Sequence, residues 1–263
     1  MSYDYISVVS ENRVTRITFG RPEVMNAINK PMHEELQSAI DTFAADSDQY
    51  ICVLTGAGSR AFCAGSDLKA IAASDGEKRH QYPKNGYAGL IERYDLDKPV
   101  IAAVNGVALG GGFEIALACD IIIAAENARF GLPEPLVGAI AIGGGLHRLA
   151  RQIGLKQAMG LILSSDSIDA ARGAELGFVN EVVAPDALDA AVNRWCERIL
   201  RGAPLAIRAS KEVVMRGLDE LSLKAALDGQ ADYPAFKTWR AADDTSEGPR
   251  AFAAKRKPEW KGR

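Results

Sequence analysis

The chain has few of the residues from which metal centres and nucleophilic triads are built. Its 263 residues include four cysteines and three histidines. The cysteines stand in apolar or helical surroundings without metal-ligand spacing, which predicts buried, reduced thiols. No histidine accompanies a serine or cysteine in a nucleophile-elbow pattern, so catalysis by a Ser-His or Cys-His pair is disfavoured. The residues concerned are Cys52, Cys63, Cys119, Cys196, His33, His80 and His147.

Positive charge and long apolar runs are also scarce. Lys and Arg number 31 against 34 Asp and Glu, and the formal net charge of −3 argues against a nucleic-acid partner, which usually requires a basic face. No apolar run approaches the roughly 20 residues of a membrane span, and residues 1–10 do not have the pattern of a signal peptide. These absences predict a soluble, cytoplasmic protein without a membrane partner.

What the chain does contain is a long α/β pattern followed by helices. Strand-like and helical runs alternate as far as about residue 195, and beyond it the pattern is helical. The length suits one domain with a small appendage. We therefore expect an α/β core over residues 1–195 and a helical C-terminal region over residues 196–263.

The stretch from Asp97 to Glu134 organises the core. Val100–Val104 is a short apolar run typical of a buried strand, and the Ala, Leu and Ile content of Phe113–Cys119 predicts a buried helix. Gly110-Gly111-Gly112 lies between them, and Ile121–Ala125 predicts a further strand. A strand, a glycine turn and a helix in this order direct free backbone N–H groups into the space above the turn.

This glycine turn does not match the common phosphate-binding patterns. The Gly-Lys-Ser/Thr of a P-loop does not follow it, and the G-x-G-x-x-G spacing of a dinucleotide-binding turn is absent. The turn can instead offer an N–H group to a developing oxyanion, and Ala64-Gly65, at the end of another strand, can supply a second donor. The alternative is that both turns only allow close packing of strands and helices, and the pattern alone does not separate the two.

Glu114 and Glu134 are the candidate acid and base. Each stands beside a Gly or Pro turn in an apolar setting, and Glu114 falls in the first turn of the predicted buried helix. Burial raises the pKa of a carboxyl group toward neutrality, where proton transfer is efficient. The alternative is that Glu114 only complements the helix dipole and that Glu134 is a surface acid.

The remaining elements are assigned from periodicity and turn signals. We expect a hairpin of Tyr5–Val9 and Arg13–Phe19, a helix capped by Asn29 with Met32, Leu36, Ile40 and Phe43 on its core face, a strand Tyr50–Thr55, and a turn with a short helix over Arg60–Lys69. Further along we expect a surface loop Ser74–Gly86, helices Tyr87–Tyr94 and Leu146–Ile153, Val179–Val183 as the one strand after Glu134, and helices from Pro204 onward.

Four segments together resemble the crotonase, or enoyl-CoA hydratase/isomerase, superfamily over essentially the whole chain. They are KPVIAAVNGVALGGGFEIALACDIIIAAENARFGLPE, ITFGRPEVMNAIN, LTGAGSRAFCAGSDL and GLHRLARQIG. Within the superfamily the chain is most similar to carnitinyl-CoA dehydratases and enoyl-CoA hydratases. The resemblance implies a spiral of ββα units with a helical C-terminal trimerisation region, assembled as a trimer or a dimer of trimers.

The resemblance also implies an acyl-CoA substrate and no separate cofactor, since coenzyme A is part of the substrate. The thioester oxygen would lie between the N–H groups of Ala64 and Gly111. Glu114 would activate water for attack at C3, and Glu134 would transfer the C2 proton. The substrate path would be lined by Ala64, Gly65, Ser66, Asp67, Leu68 and Gly111.

These implications favour a hydratase or dehydratase acting across the 2,3 bond of an acyl-CoA. An isomerase or a thioester hydrolase of the same fold is the alternative, and a binding protein without catalysis is a third class. Isomerases usually keep one acid, so the pair Glu114 and Glu134 favours hydration. Many hydratases have a proline and a smaller residue in the turn that here contains Ile140 and Ile142, which leaves the acyl chain length open.

The last nine residues carry five cations. They are Lys255, Arg256, Lys257, Lys261 and Arg263. One interpretation is a solvated, frayed terminus. The other starts from the phosphates of coenzyme A, which need cationic neighbours: Trp260 would dock the tail, and its charges would reach a coenzyme A bound by the adjoining protomer.

Overall fold

The computed structural model describes residues 3–73 and 82–263, which fall into two compact units. The first unit comprises Met1–Arg93 and Val100–Asn193, and the second comprises Tyr94–Pro99 and Arg194–Arg263. The domain boundary at residue 195 stays a prediction of the sequence. Part of the expected surface loop, residues 74–81, lies outside the described residues.

The strands all belong to the first unit. They are β1 Ile6–Glu11, β2 Val14–Phe19, β3 Ile51–Gly56, β4 Ala61–Cys63, β5 Val100–Val104, β6 Val107–Leu109, β7 Ile121–Ala125, β8 Arg129–Gly131, β9 Ile168–Asp169 and β10 Glu181–Val183. The helices are α1 Lys30–Ala45, α2 Leu68–Ala73, α3 Gly111–Ala118, α4 Gly145–Gln152, α5 Leu155–Ser164, α6 Ala170–Leu176, α7 Leu188–Leu200, α8 Pro204–Gly217, α9 Leu223–Gly229, α10 Pro234–Ala241 and α11 Asp244–Ala253.

Two sheets form the first unit. The larger has the order β1-β2-β3-β5-β7-β10, in which β1 and β2 are antiparallel and every later pairing is parallel. The smaller has the order β4-β6-β8-β9, in which β4, β6 and β8 are parallel. The predicted hairpin is confirmed, and Asn12 and Arg13, with φ of 50° and 68°, form its tight turn.

The chain passes between the two sheets in a repeated pattern. β3 is followed by β4 and α2, β5 by β6 and α3, and β7 by β8 and a short 3₁₀ helix, Glu134–Val137. Each pass places its first strand in the larger sheet and its second strand in the smaller one. As a result, the carboxyl ends of β4, β6 and β8 lie side by side at one edge of the smaller sheet.

Helix α1 forms as its sequence predicts. Asn29 caps it, because its Oδ1 accepts a hydrogen bond from the N–H of Met32 at 3.1 Å. The four residues expected on its core face are at most 2 % exposed. They are Met32, Leu36, Ile40 and Phe43.

Two expectations for secondary structure are wrong. Tyr87–Tyr94 is not a regular helix: only Tyr87–Gly89 forms a 3₁₀ turn, and Ala88 there has φ 56°. His33 Nδ1 accepts the N–H of Ala88 at 3.0 Å, so a tertiary contact holds this backbone in a non-helical shape. The expectation of one strand after Glu134 is also wrong, because β9, which pairs with β8, is a second one. Its two residues are too few to give a periodic signal.

The C-terminal tail is docked within the second unit. The indole Nε1–H of Trp260 donates to the carbonyl of Arg201 at 2.8 Å, and the buried carboxylate of Asp244 accepts the N–H groups of Lys261 and Gly262, both at 2.8 Å. Arg256 forms an ion pair with Glu247 at 2.6 Å. The expectation that the terminus is frayed is therefore wrong, whereas the expectation that it is solvated is confirmed, because Lys255, Lys257 and Lys261 are exposed.

The four cysteine side chains are buried, as expected. Among residues 3–73 and 82–263, no helix has the length and apolarity that crossing a bilayer requires.

Candidate active site

Three turns meet at the edge of the smaller sheet. The turn after β4 contains Ala64-Gly65-Ser66-Asp67, the turn after β6 contains Gly110, and the turn after β8 leads to Glu134. Adjacent strands are about 5 Å apart, so residues that leave neighbouring parallel strands at the same edge lie close together. The first two turns are in contact, since a Cβ at Gly65 would lie 3.1 Å from Gly111 N.

Glycine is required where these turns touch. Gly110 has φ 54°, and a Cβ there would lie 2.9 Å from Glu134 Oε1. A Cβ at Gly111 would overlap the ring of Tyr87, and one at Gly112 would overlap the carbonyl oxygen of Cys63. The backbone of α3 therefore begins in direct contact with its surroundings, with no side chain between them.

The free N–H groups at this contact are those of Gly111 and Ser66. Neither has a hydrogen-bond partner in the described part of the chain. Gly111 is the first residue of α3, where N–H groups have no partner within the helix and the helix dipole favours negative charge. The two donors can therefore bind one oxygen that acquires negative charge.

The expectation that the N–H of Ala64 is an oxyanion donor is wrong. The N–H of Ala64 donates to the carbonyl of Met25 at 3.0 Å, so it is engaged within the fold. The next free donor along this turn is Ser66, two residues further on. Sequence reasoning missed it because the contact that occupies Ala64 comes from a segment 39 residues earlier in the chain.

Glu114 is a buried carboxylate held between two helix N-termini. It lies in the first turn of α3, is 3 % exposed, and its Oε1 accepts the N–H of Gly145 at 2.9 Å, the first residue of α4. Burial raises the pKa of Glu114 to about 7, because loss of hydration outweighs the hydrogen bonds from Gly145 and Gly143. The charge of Glu134 raises this pKa further. Glu114 can therefore exchange a proton near neutral pH.

Glu134 faces the same turn from the end of β8. Its side chain lies against Gly110, and its Oε2 is buried without a hydrogen-bond partner among the described residues. Burial raises the pKa of Glu134 above its ordinary value. A buried carboxyl oxygen with no partner is rare in folded proteins and is available to a bound molecule.

An aromatic cluster lies beneath the turns. Tyr87 is buried against Gly111, and its hydroxyl oxygen accepts a hydrogen bond from Ser66 Oγ at 3.2 Å. Its ring contacts those of His33 and Tyr82, with centroids at 4.6 and 5.3 Å. Burial first, and then the charges of Glu114 and Glu134, raise the pKa of Tyr82. Burial lowers the pKa of His33 to about 4, so this histidine is neutral.

The other predicted substrate-binding residues divide by position. Gly65 is part of the contact with Gly111. Asp67 is turned into the fold, where Arg21 pairs with it at 2.9 Å. Leu68 begins α2 and is 56 % exposed. Only Leu68 of these three has a side chain that a bound molecule can reach freely.

Together these groups suit proton transfer next to an oxyanion. Two N–H donors, a carboxyl group that titrates near neutral pH and a second carboxyl group with an open oxygen surround one edge of a sheet. No cluster of side chains in the described residues has the composition of a metal site.

The chain is similar over nearly its whole length to known proteins of one family. A carnitinyl-CoA dehydratase of Proteus mirabilis (strain HI4320) is 37 % identical over 262 residues, 98 % of each chain. A protein of Rhizobium meliloti (strain 1021) named as a probable enoyl-CoA hydratase is 40 % identical over 263 residues, with full coverage of both chains. The crystal structure of an enoyl-CoA hydratase from Mycobacterium tuberculosis H37Rv superposes with a TM-score of 0.89 at 36 % identity, covering 98 % of this chain and 99 % of that one.

These structural matches confirm the predicted crotonase fold. The family model described as enoyl-CoA hydratase/isomerase matches residues 10–263. The protein is an enzyme that belongs to the enoyl-CoA hydratase/isomerase family.

Proposed function

We propose that the protein adds water to, or removes it from, the 2,3 bond of an acyl-CoA thioester. The observation that carries this proposal is the pair of carboxyl groups beside one pair of free N–H donors. Glu114, with its pKa of about 7, and Glu134, with its open Oε2, face the turns that carry Ser66 and Gly111. Hydration needs two proton-transfer sites and an oxyanion site, and this edge supplies all three.

In the proposed reaction the thioester oxygen lies between the N–H groups of Ser66 and Gly111. Ionised Glu114 removes a proton from water as the water oxygen bonds to C3, and the electrons of the double bond move toward the thioester oxygen. The resulting enolate is stabilised by the two donors, and Glu134 gives its proton to C2. Loss of one such donor typically costs about 3 kcal/mol of transition-state stabilisation. The reverse sequence dehydrates a 3-hydroxyacyl-CoA.

The alternative activities, isomerisation and thioester hydrolysis, do not require two carboxyl groups placed for addition of water at C2 and C3. An isomerase that moves a double bond needs one acid/base group, and a thioester hydrolase needs water directed at C1 instead of C3. Two buried or half-buried carboxyl groups with raised pKa values favour hydration over both alternatives.

Two classes of acyl group are compatible with the surroundings of Glu134. Leu136, Val137, Ile140 and Ile142 follow Glu134 and are 74, 59, 65 and 47 % exposed, so an apolar acyl chain would find partners there. The relatives named carnitinyl-CoA dehydratases suggest carnitinyl-CoA and its dehydration product, crotonobetainyl-CoA, whose quaternary ammonium group would be attracted by the ring of Tyr82 and by ionised Glu114. Coenzyme A is part of either substrate, and no separate cofactor is proposed. We further propose a cytoplasmic trimer or dimer of trimers.

The test replaces each acid by its isosteric amide. Glu114→Gln and Glu134→Gln are each expected to bind acyl-CoA and to lower the hydration rate by about 10²–10⁴-fold, because a positioned acid or base typically contributes that much. Loss of the conjugated-thioester absorbance is followed with crotonyl-CoA, longer 2-enoyl-CoAs and crotonobetainyl-CoA. Glu126→Gln, at an exposed position after β7, is the matched control.

Each outcome bears on the proposal. Near-normal turnover in either variant removes that residue from the mechanism. No hydration of any enoyl-CoA by the unmodified enzyme, with hydrolysis or isomerisation instead, replaces the proposed reaction by one of the alternatives. The preferred acyl group follows from the ratio of kcat/KM values.

A further inference from the structure

The turn that carries Ser66 is hydrogen-bonded to residues 25–28, which we call the clasping segment. The N–H of Ala64 donates to Met25 O at 3.0 Å, the N–H of Ile28 donates to Gly65 O at 2.8 Å, and the N–H of Asp67 donates to Ile28 O at 3.0 Å. These three hydrogen bonds lie on both sides of Ser66. Its N–H group is the one donor between residues 64 and 67 that the fold leaves open, since that of Gly65 contacts Cys63 Sγ at 3.4 Å.

The direction of the Ser66 N–H follows from the planarity of the peptide bond. In a trans peptide the carbonyl of Gly65 and the N–H of Ser66 point in opposite directions. The structure contains no cis peptide bond among its described residues. Because Gly65 O is tied to the N–H of Ile28, the N–H of Ser66 must point away from Ile28 and toward the open side of the turn.

The hydrogen bond between Ile28 N–H and Gly65 O is part of a chain of hydrogen bonds that begins at the guanidinium of Arg21. The peptide group that supplies the N–H of Ile28 has the carbonyl of Ala27 as its other end, and that carbonyl accepts a hydrogen bond from Arg21 Nη1 at 2.6 Å. Two peptide groups therefore connect the guanidinium of Arg21 to the N–H of Ser66. Hydrogen bonds arranged in such a chain polarise one another and become stronger.

Arg21 is itself held in place by the turn. Its Nη1 also pairs with Asp67 Oδ2 at 2.9 Å, and both side chains are 14 % exposed. Burial opposes ionisation of Asp67, but the N–H of Ala70 and the guanidinium of Arg21 outweigh it and hold the pKa of this carboxyl below its ordinary value. The ion pair is therefore maintained across the neutral range.

The clasping segment is also held in one conformation. Met25 and Asn26 have φ of 58° and 56°, which side chains other than glycine seldom adopt. The side chain of Asn26 is fully buried, accepts the N–H of Arg21 at 3.0 Å, and donates to the carbonyls of Ala57 and Ala61 at 3.1 and 2.8 Å. Such a segment can hold its partner to the tolerance that an oxyanion donor needs, roughly 0.5 Å.

We propose that Arg21 is a positioning residue for the oxyanion site. Through the peptide groups of Ala27–Ile28 and Gly65–Ser66 it aims the N–H of Ser66 at the thioester oxygen and polarises it. The inference rests on the proposed function, since it requires that the N–H of Ser66 meets a carbonyl oxygen. It assigns a catalytic consequence to a residue that lies two peptide groups away from the substrate.

The test uses Arg21→Gln, which removes the charge, and Arg21→Lys, which keeps the charge but has no planar fork. Arg16→Gln is the control, because Arg16 is an arginine within β2 that forms an ion pair, with Asp189 at 3.4 Å, away from the turn. Arg21→Gln is expected to lower kcat by about tenfold with little change in KM, less than the full loss of one donor, about 10²–10³-fold. Arg21→Lys should recover part of this loss.

A vibrational measurement separates positioning from a general loss of structure. Crotonyl-CoA labelled with ¹³C at the thioester carbonyl is bound to the Glu134→Gln enzyme, which prevents turnover, and its carbonyl stretch is compared with that of the free ligand. We expect a shift to lower frequency in this background and a smaller shift when Arg21→Gln is added. The Arg16→Gln control should retain the whole shift.

The outcomes distinguish the two proposals. No shift in the Glu134→Gln background overturns the oxyanion site, and with it the proposed function. A full shift that persists with Arg21→Gln, together with unchanged kcat, overturns the role of Arg21 alone. If Arg21→Gln does not fold, the decision passes to Arg21→Lys. Its kcat must then lie below that of the unmodified enzyme, and adding it to the Glu134→Gln enzyme must reduce the carbonyl shift.

Discussion

Glu114 shows how burial decides the chemistry of a carboxyl group. Two N–H groups at the start of α4 and the N-terminal end of α3 all favour its ionised form, yet its pKa is raised to about 7. Each helix N-terminus typically contributes about 0.3–1 kcal/mol to a nearby anion. A rise of this size means that the cost of removing the carboxylate from water is larger than these contributions together.

This raised pKa predicts a pH-dependent effect of Glu114→Gln on stability. The folded state holds its proton up to about pH 7, whereas an unfolded glutamate releases it near pH 4.5. The contribution of Glu114 to stability is therefore complete below pH 4.5 and is lost as the pH rises through 7. The loss amounts to about 3 kcal/mol, at about 1.4 kcal/mol per pKa unit. The amide does not titrate, so the variant should gain stability relative to the unmodified enzyme between pH 5 and pH 8.

Urea unfolding at pH 5 and pH 8 measures the change. The relevant quantity is the difference between the two pH values, because any constant effect of the amide cancels. Glu126→Gln, at an exposed position, should give the same difference as the unmodified enzyme. An equal stability increment for Glu114→Gln at both pH values would contradict the raised pKa.

Sequence reasoning found the residues whose role depends on local pattern. Glu114 and Glu134 stand out because each is an acid in an apolar setting beside a turn. Ser66 was expected to line the substrate path but not to be an oxyanion donor, and Arg21 was not expected to have a functional role, for the opposite reason. The hydrogen bond that occupies Ala64, and the ion pair between Arg21 and Asp67, join segments tens of residues apart. Which N–H remains free is decided by those distant partners.

At the scale of elements, the same residue type has opposite effects in two helices. Gly112 in α3 lies against the carbonyl of Cys63, where a Cβ would overlap the oxygen. Gly160 in α5 is exposed, and a Cβ there would meet no atom within 4 Å. Helix propensity alone favours alanine over glycine by about 1 kcal/mol at both positions.

Gly112→Ala is therefore expected to destabilise the protein, and Gly160→Ala to stabilise it by up to about 1 kcal/mol. In α3 the clash is with backbone atoms of β4, which cannot rotate away, so an overpacking cost of about 1–3 kcal/mol should exceed the gain in propensity. Thermal unfolding of the two variants beside the unmodified protein decides the question. Stabilisation by both substitutions would show that α3 and β4 can separate without cost.

The elements that were predicted well are those with strong local signals. The bounds of Val100–Val104 and Ile121–Ala125 agree with β5 and β7, since a short apolar run between glycine or polar residues is an unambiguous buried strand here. The prediction of a helix over Tyr87–Tyr94 was wrong because the N–H of Ala88 donates to His33 of α1, which fixes Ala88 in a left-handed conformation. Tertiary contact overrode local preference at that point.

At the scale of the whole molecule, the family resemblance predicted the fold, while periodicity alone gave only an alternation of strands and helices. The repeated passage between two sheets was not visible as a sequence repeat. The second strand of each pass has three residues, and its neighbours differ in length, so the similarity lies in backbone path. A strand of three residues carries too little alternation to identify itself.

The C-terminal cations lead to a prediction for binding. Arg256 is paired with Glu247, while Lys255, Lys257 and Lys261 are exposed. If they attract the phosphates of coenzyme A in the proposed trimer, replacing the three lysines by glutamine should raise KM for acyl-CoA about threefold or more at low salt, at roughly 0.2–1 kcal/mol for each exposed pair. The effect should diminish as ionic strength increases.

The triple substitution leaves Trp260 and the backbone contacts of Asp244 in place, so the tail remains docked. Lys224→Gln with Lys237→Gln, two exposed lysines of the same unit paired with Asp228 and Asp232, serves as the control. An unchanged KM at low salt, with the oligomer intact, would assign the phosphates of coenzyme A to other cations.

The succession of three ββα passes also orders events during synthesis on the ribosome. Gly65 and Ser66 emerge first, Gly111 and Glu114 follow, and Glu134 and Gly145 emerge last. A nascent chain that ends between Ala118 and Glu134 contains Glu114 and both proposed oxyanion donors. It does not yet contain Glu134, or Gly145, whose N–H binds Glu114 in the folded enzyme. Until about 30 further residues are translated, the segment around Gly143 and Gly145 that covers Glu114 is absent, so we expect the carboxyl group to stay hydrated and to titrate as an ordinary glutamate.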